Sequence, residues 1–125
     1  MKRFVLFAIF SIGLLQGCHR GLDKDADADE AGKALQTALD AWKSGKSREE
    51  LEKMTPSILM NEDDWRAGKR LLDFKVEHCS LSGRQVRGRV QLKLQDQKGK
   101  TVDRKANYII DTTPRIVIVR DIFSS

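Results

Sequence analysis

From Leu71 onward the hydrophobic period of the chain is two, and that alternation limits the fold more than any other feature. Leu72, Phe74 and Val76 alternate with Asp73, Lys75 and Glu77. Val86, Val90, Leu92 and Leu94 alternate with Arg87, Arg89, Gln91 and Lys93, and Ala106, Tyr108 and Ile110 alternate with Lys105, Asn107 and, less cleanly, Ile109. Successive strand side chains point to opposite faces, so each set defines one apolar face. "RIVIVRDIF" adds a fourth strand, apolar on both faces from Ile116 to Val119. The links are short: SLSG with Gly83, DQKGK with Gly99 and TTP with Pro114. Strands joined this tightly pair antiparallel. The expectation is a four-stranded antiparallel meander. Gly88 fills one inward slot and is read as a bend or bulge. Arg115 and Arg120 bracket the last strand as gatekeepers against edge association.

An apolar sheet face needs a cover. Leu35, Ala38, Leu39 and Trp42 fall at i, i+3, i+4 and i+7, one stripe of a helix. Lys43 and Lys46 suit its C-terminal end, and Gly45 is a natural stop. The acids Asp23, Asp25, Asp27, Asp29 and Glu30 crowd its start, where they favour the helix dipole. Their spacing imitates the opening of a calcium loop. Counted from Asp25, however, the sixth and twelfth positions are Glu30 and Gln36, where glycine and glutamate are needed. Ser47-Arg48-Glu49-Glu50 reads as a capping box for a second, short helix with Leu51 and Met54 inward, ended by Pro56. Ile58 to Met60 is a short strand or a buried loop, and "NEDDWRAGK" is a turn or a single helical turn that places Trp65 in the core. The fold class is therefore α+β: one long N-terminal helix plus a short helix packed on a four-stranded antiparallel meander sheet. That order is similar to the cystatin-like architecture, and within it to the nuclear transport factor 2-like families. The likeness rests on "ALDAWKSGK", on the Gly99-Lys100-Thr101-Val102 turn and on the closing apolar strand that ends at Arg120. It implies a pocket between helix and sheet, in which some members of that superfamily carry catalytic Asp and His.

The chain opens with Lys2 and Arg3, followed by an apolar run from Phe4 to Leu15. About 12 residues are too few to cross a bilayer core, which needs roughly 20, and the pattern is that of a secretory signal. Leu15-Gln16-Gly17-Cys18 resembles the lipobox of bacterial lipoproteins. The resemblance implies that the Cys18 thiol receives a diacylglyceryl group, that the leader is cut before Cys18 and that the new N-terminus is open to acylation. The chain then divides into a signal peptide (1–17), a lipidated acidic tether (18–30) and a single α+β domain (31–125). His19 stands where an inner-membrane retention aspartate would, so an outer membrane is favoured if the cell has one. A Cys18 thioether leaves no partner for Cys79, so the mature protein is expected to hold no internal disulfide. Strict alternation puts Cys79 on the face of Asp73, Lys75 and Glu77.

The net charge of +5 fits an anionic partner or plain solubility, and export argues against nucleic acid. Arg84, Arg87, Arg89 and Lys93, joined by Lys75 and Lys105, form a candidate anionic contact face. The reading favoured for the same residues is a solvated sheet face whose bases pair with Asp73, Glu77 and Asp103. By alternation His78 continues the Phe74–Val76 face, and Tyr108 points inward, either lining a pocket or filling the core. No nucleophile–base pair, metal-ligand spacing or phosphate loop is present in the sequence. The expected function is a membrane-anchored, non-catalytic binding or interaction module of the cell envelope. No cofactor or metal is implied, and the partner is an envelope protein or an anionic surface. The alternatives are a small-ligand carrier or enzyme with a pocket between helix and sheet, and a module that accepts a partner's strand at its edge.

Overall fold

The computed structural model describes residues 26–121; Cys18, His19 and the signal segment lie outside them. Helix α1, Ala28–Lys43, starts inside the acidic run. Asp27 caps it, its Oδ1 accepting the amides of Asp29 at 2.9 Å and Glu30 at 3.1 Å, donors that a helix start otherwise leaves unpaired. Leu35, Ala38, Leu39 and Trp42 are all buried, as the stripe requires. After Ser44 the chain reverses through Gly45 at φ +86°, a conformation that favours glycine. Helix α2, Arg48–Glu52, is capped by Ser47, whose side chain accepts the Glu50 amide. Leu51 faces the core, but Met54 does not: the helix stops at Glu52 and Met54 is exposed.

The sheet has five strands instead of four, and it is mixed instead of purely antiparallel. In chain order they are β1, Ile58–Asn61; β2, Arg70–Ser82; β3, Gln85–Gln95; β4, Thr101–Asp111; and β5, Ile116–Arg120, with the short helix α3, Asp63–Arg66, between β1 and β2. The spatial order is β1-β5-β4-β3-β2. The strands β2 to β5 form the expected antiparallel series, and β1 lies parallel to β5, with Ile58 opposite Ile116 and Met60 opposite Ile118. A strand apolar on both faces belongs inside a sheet. Residues Ile58 to Asn61 supply the second neighbour that β5 needs. Arg115 and Arg120 therefore guard no edge.

Strand β3 follows the expected parity throughout, with Val86, Val90, Leu92 and Leu94 buried. Strand β2 does not. Its register shifts between Leu71 and Asp73 and again between Val76 and His78. Each extra residue flips the parity of the residues after it. Leu71, opposite Leu94, therefore takes the buried place at the start of the strand. Beyond the second shift Cys79, opposite Gly88, takes the inward place that alternation gives to His78. His78 is exposed, whereas Cys79 packs against the core, where burial pushes its thiol pKa up. Gly88 itself is no bulge on the β4 side, where pairing runs unbroken from Val86 to Gln95. Its role is space: a Cβ there would sit 2.8 Å from Leu35 Cδ2 and 3.2 Å from Cys79 Sγ. The missing side chain lets α1 lie close on the sheet.

Gly88→Ala is expected to lower stability by about 1–3 kcal/mol through overpacking against buried Leu35, read by urea denaturation. Val90→Asp should prevent folding, because it buries an unpaired charge, whereas Lys93→Ser on the same strand should shift stability by less than about 0.5 kcal/mol.

Candidate functional site

The interval between α1 and the sheet is filled. Leu35, Leu39 and Tyr108 have no exposed surface and Trp42 has 3%. Phe74 is half-buried against the same cluster. Tyr108 therefore occupies the core, and its hydroxyl leads to the main polar feature of the molecule.

That feature is a buried charge cluster at the C-terminal ends of β1 and β5, beside Tyr108 within β4. Inward parity runs Ile58, Met60, Glu62 out of β1 and Ile116, Ile118, Arg120 along β5. Because Met60 pairs with Ile118 in a parallel ladder, Glu62 arrives level with Arg120. Tyr108 is the cross-strand partner of Arg120 on β4. Glu62, 0% exposed, accepts from Arg120 NH1 at 2.8 and 2.9 Å and from the Tyr108 hydroxyl. It also accepts the Asp64 amide at 2.8 Å, which makes it the cap of α3. Asp64 in turn accepts from Arg120 NH1 at 3.0 Å and from Lys69 Nζ at 3.0 Å, with Arg104 3.6 Å away.

Each group's ionisation follows from these partners. Burial raises the Asp64 pKa, but Lys69 and Arg120 outweigh it and hold the carboxyl below its ordinary range. Burial and the adjacent Glu62 carboxylate push the Tyr108 phenol far above its usual range, so it stays a neutral donor. Burial pulls Arg120 down, and Glu62 and Asp64 more than restore it. The cluster is thus a satisfied ionic network that joins α3, β1, β4 and β5.

One product of that network is a groove. Helix α3 lays the half-buried Trp65 on Trp42, with ring centroids 5.4 Å apart and planes 10° from parallel. Trp42 Nε1 donates to the Lys69 carbonyl at 2.9 Å. A depression of about 280 Å3 opens beside the pair, bordered by Lys43, Lys46, Lys69 and Arg70. Lys43 and Lys69 are already engaged, with Asp73 at 3.3 Å and Asp64 at 3.0 Å.

The residues of the expected anionic contact face lie together on the outer side of β3 and its preceding turn, and part of their charge is answered locally. Arg87 pairs with Asp121 at 2.8 Å. Arg89 stands opposite His78 and Asn107. Lys93 stands opposite both Asp73 and Asp103, and Arg84 sits exposed in the β2–β3 turn. Asp73 is held below the usual carboxylate range by the Phe74 amide and by Lys43, with a smaller part from Lys93. Glu77 accepts from Gln91. A shallow depression of about 540 Å3 crosses this face, bordered by Asp73, Lys75, Gln91, Lys93, Asp103 and Lys105. Among the described residues no group of three or more His, Cys, Asp or Glu is arranged to hold a metal ion. Cys18 lies outside them.

Sequence reasoning missed the Glu62–Arg120 pair. The segment "NEDDWRAGK" is read only for its placement of Trp65, and Arg120 as a gatekeeper. Parity was the available signal, since Glu62, Tyr108 and Arg120 all share the inward phase of their neighbours. Neither a protein family, nor a curated protein, nor a solved structure matches this chain.

Removing one member of a buried pair leaves the other charge uncompensated. Arg120→Ala is expected to lower stability by about 3–5 kcal/mol, measured by denaturant unfolding followed through tryptophan fluorescence. The Asp64 pKa is lower in the folded than in the unfolded chain. Its contribution is complete above the ordinary value of 3.8 and is lost as pH falls through the folded value. The stability of Asp64→Asn should therefore fall less steeply than that of the unaltered protein on acidification below about pH 4.

Proposed function

We propose that this chain is a lipid-anchored, extracytoplasmic protein whose α+β domain serves as a non-catalytic binding or interaction module of the cell envelope. The anchor is Cys18 in Leu15-Gln16-Gly17-Cys18, with an outer membrane favoured where one exists. The observation that carries the non-catalytic reading is the filled interval between α1 and the sheet. A ligand carrier or enzyme of the cystatin-like kind would hold its cargo there, and Leu35, Leu39, Trp42 and Tyr108 take up that volume. A helix laid across the antiparallel strands β2 to β5 supports a cystatin-like relationship, with β1 added at the β5 side. Contact with a partner falls to the outer surfaces. The outer face of β3, with Arg84, Arg87, Arg89 and Lys93, faces an envelope protein or an anionic surface.

Membrane-extracted protein, alkylated and weighed intact, should carry lipid on Cys18 and one alkylated thiol, Cys79. Cys18→Ser should move the protein from the membrane to the soluble fraction with its fold intact. A lipid-free mature chain, or one in which Cys18 is bonded to Cys79, would remove the anchor.

A further inference from the structure

Two backbone contacts fix where the tether enters the fold. The Ala26 amide donates to the Arg84 carbonyl at 3.0 Å, in the β2–β3 turn. The Asp27 amide donates to Thr112 Oγ1 at 3.0 Å, just beyond the end of β4. The start of α1, the β2–β3 turn and the β4–β5 turn thus form one end of the domain. The opposite end holds the C-terminus of α1, the start of β2 and the β3–β4 turn. There Trp42 reaches the Lys69 carbonyl, and a Cβ on Gly68 would meet Gln97 Nε2 at 2.8 Å.

We propose that the end carrying the β2–β3 and β4–β5 turns faces the bilayer, and that the end carrying the Trp42–Trp65 groove points away from it. The proposal rests on the Cys18 anchor proposed above. About eight residues separate Cys18 from Ala26, a reach of at most about 29 Å when fully extended. An 11-residue strand such as β3 is about 37 Å long. To bring the far end to the membrane, Ala26 would have to stand off by more than its tether can reach. Of the two end-on arrangements the inverted one is therefore excluded, which leaves the one with the turn end nearest the bilayer.

The surface of that end fits a headgroup layer. Leu81, at 51%, is the most exposed large hydrophobic residue among those described, and it sits at the hairpin tip. Arg84 and Arg115 are exposed in the two turns. Asp27, Asp29 and Glu30 share this end. With both signs present, it is held by tether geometry and the apolar tip, without a net positive field.

The test uses the full lipidated chain with Cys79→Ala, reconstituted in vesicles of mixed zwitterionic and anionic phospholipid. A fluorophore is attached through Leu81→Cys in one variant and Lys98→Cys, in the β3–β4 turn, in another. Quenching by nitroxide-labelled headgroups is expected to be several-fold stronger at the first position. Equal quenching, or stronger quenching at the second position, in protein that floats with the vesicles overturns the orientation alone. Failure of the unaltered lipidated preparation to float overturns the anchor, and the orientation with it.

Discussion

The Glu62 carboxylate has no contact with solvent, and a buried carboxylate persists only where its charge and lone pairs are met. Arg120 from β5, Tyr108 from β4 and the Asp64 amide from α3 meet them. This requirement ties together segments far apart in the chain. It locks the short β1 beside β5, sets the start of α3 and so carries Trp65 onto Trp42. Lys69 extends the same network to the loop that leads into β2 and, through its carbonyl, to the end of α1. The far end of the domain is therefore organised by ionic and aromatic contacts.

The near end and the middle are organised by close packing. Leu35 of α1 enters the space that Gly88 leaves, and Cys79 fills in beside it because β2 shifts register just before that point. A helix seated this deeply leaves no room for cargo beneath it. On its outer side the sheet presents two different surfaces. Its β2 to β4 side is charged and partly paired. The rows through Leu59, Ile109, Val117 and Val119 are apolar and only half-buried to exposed. The anchor proposed at Cys18, with its tether entering beside the turns, would give these surfaces a direction relative to the membrane.

Much of the architecture was legible because local periodicity reports burial directly. The α1 stripe, the Ser47 cap, the parity of β3 and the order of β2 to β5 each rest on spacing within one segment or on a tight turn between neighbours. The misplacements share one cause. Met54, His78, Cys79 and Leu72 are misplaced by extending a period past a point where the backbone breaks it. A bulge leaves no mark in residue types when the extra residues are as ordinary as Leu72 and Glu77. Parity places Arg87, Arg89 and Lys93 on the outer side of β3, but the pairing of Arg87 with Asp121 and of Asp73 with Lys43 depends on contacts that only the assembled fold brings about.

By itself the sequence determined α1, α2 and β2 to β5 as helix and strand and which faces of β3 and α1 turn inward, and it carries the lipobox resemblance that makes Cys18 a candidate anchor. These depend on interactions among residues a few positions apart. The tertiary structure alone decided that β1 joins β5 in parallel and that Glu62 meets Arg120. Only the tertiary structure, too, sets the two tryptophans face to face and starts α1 against the β2–β3 turn. Each of these contacts joins residues that lie far apart along the chain. No period or spacing encodes them; they follow from the need to satisfy buried charge and backbone groups once the sheet has closed around its core.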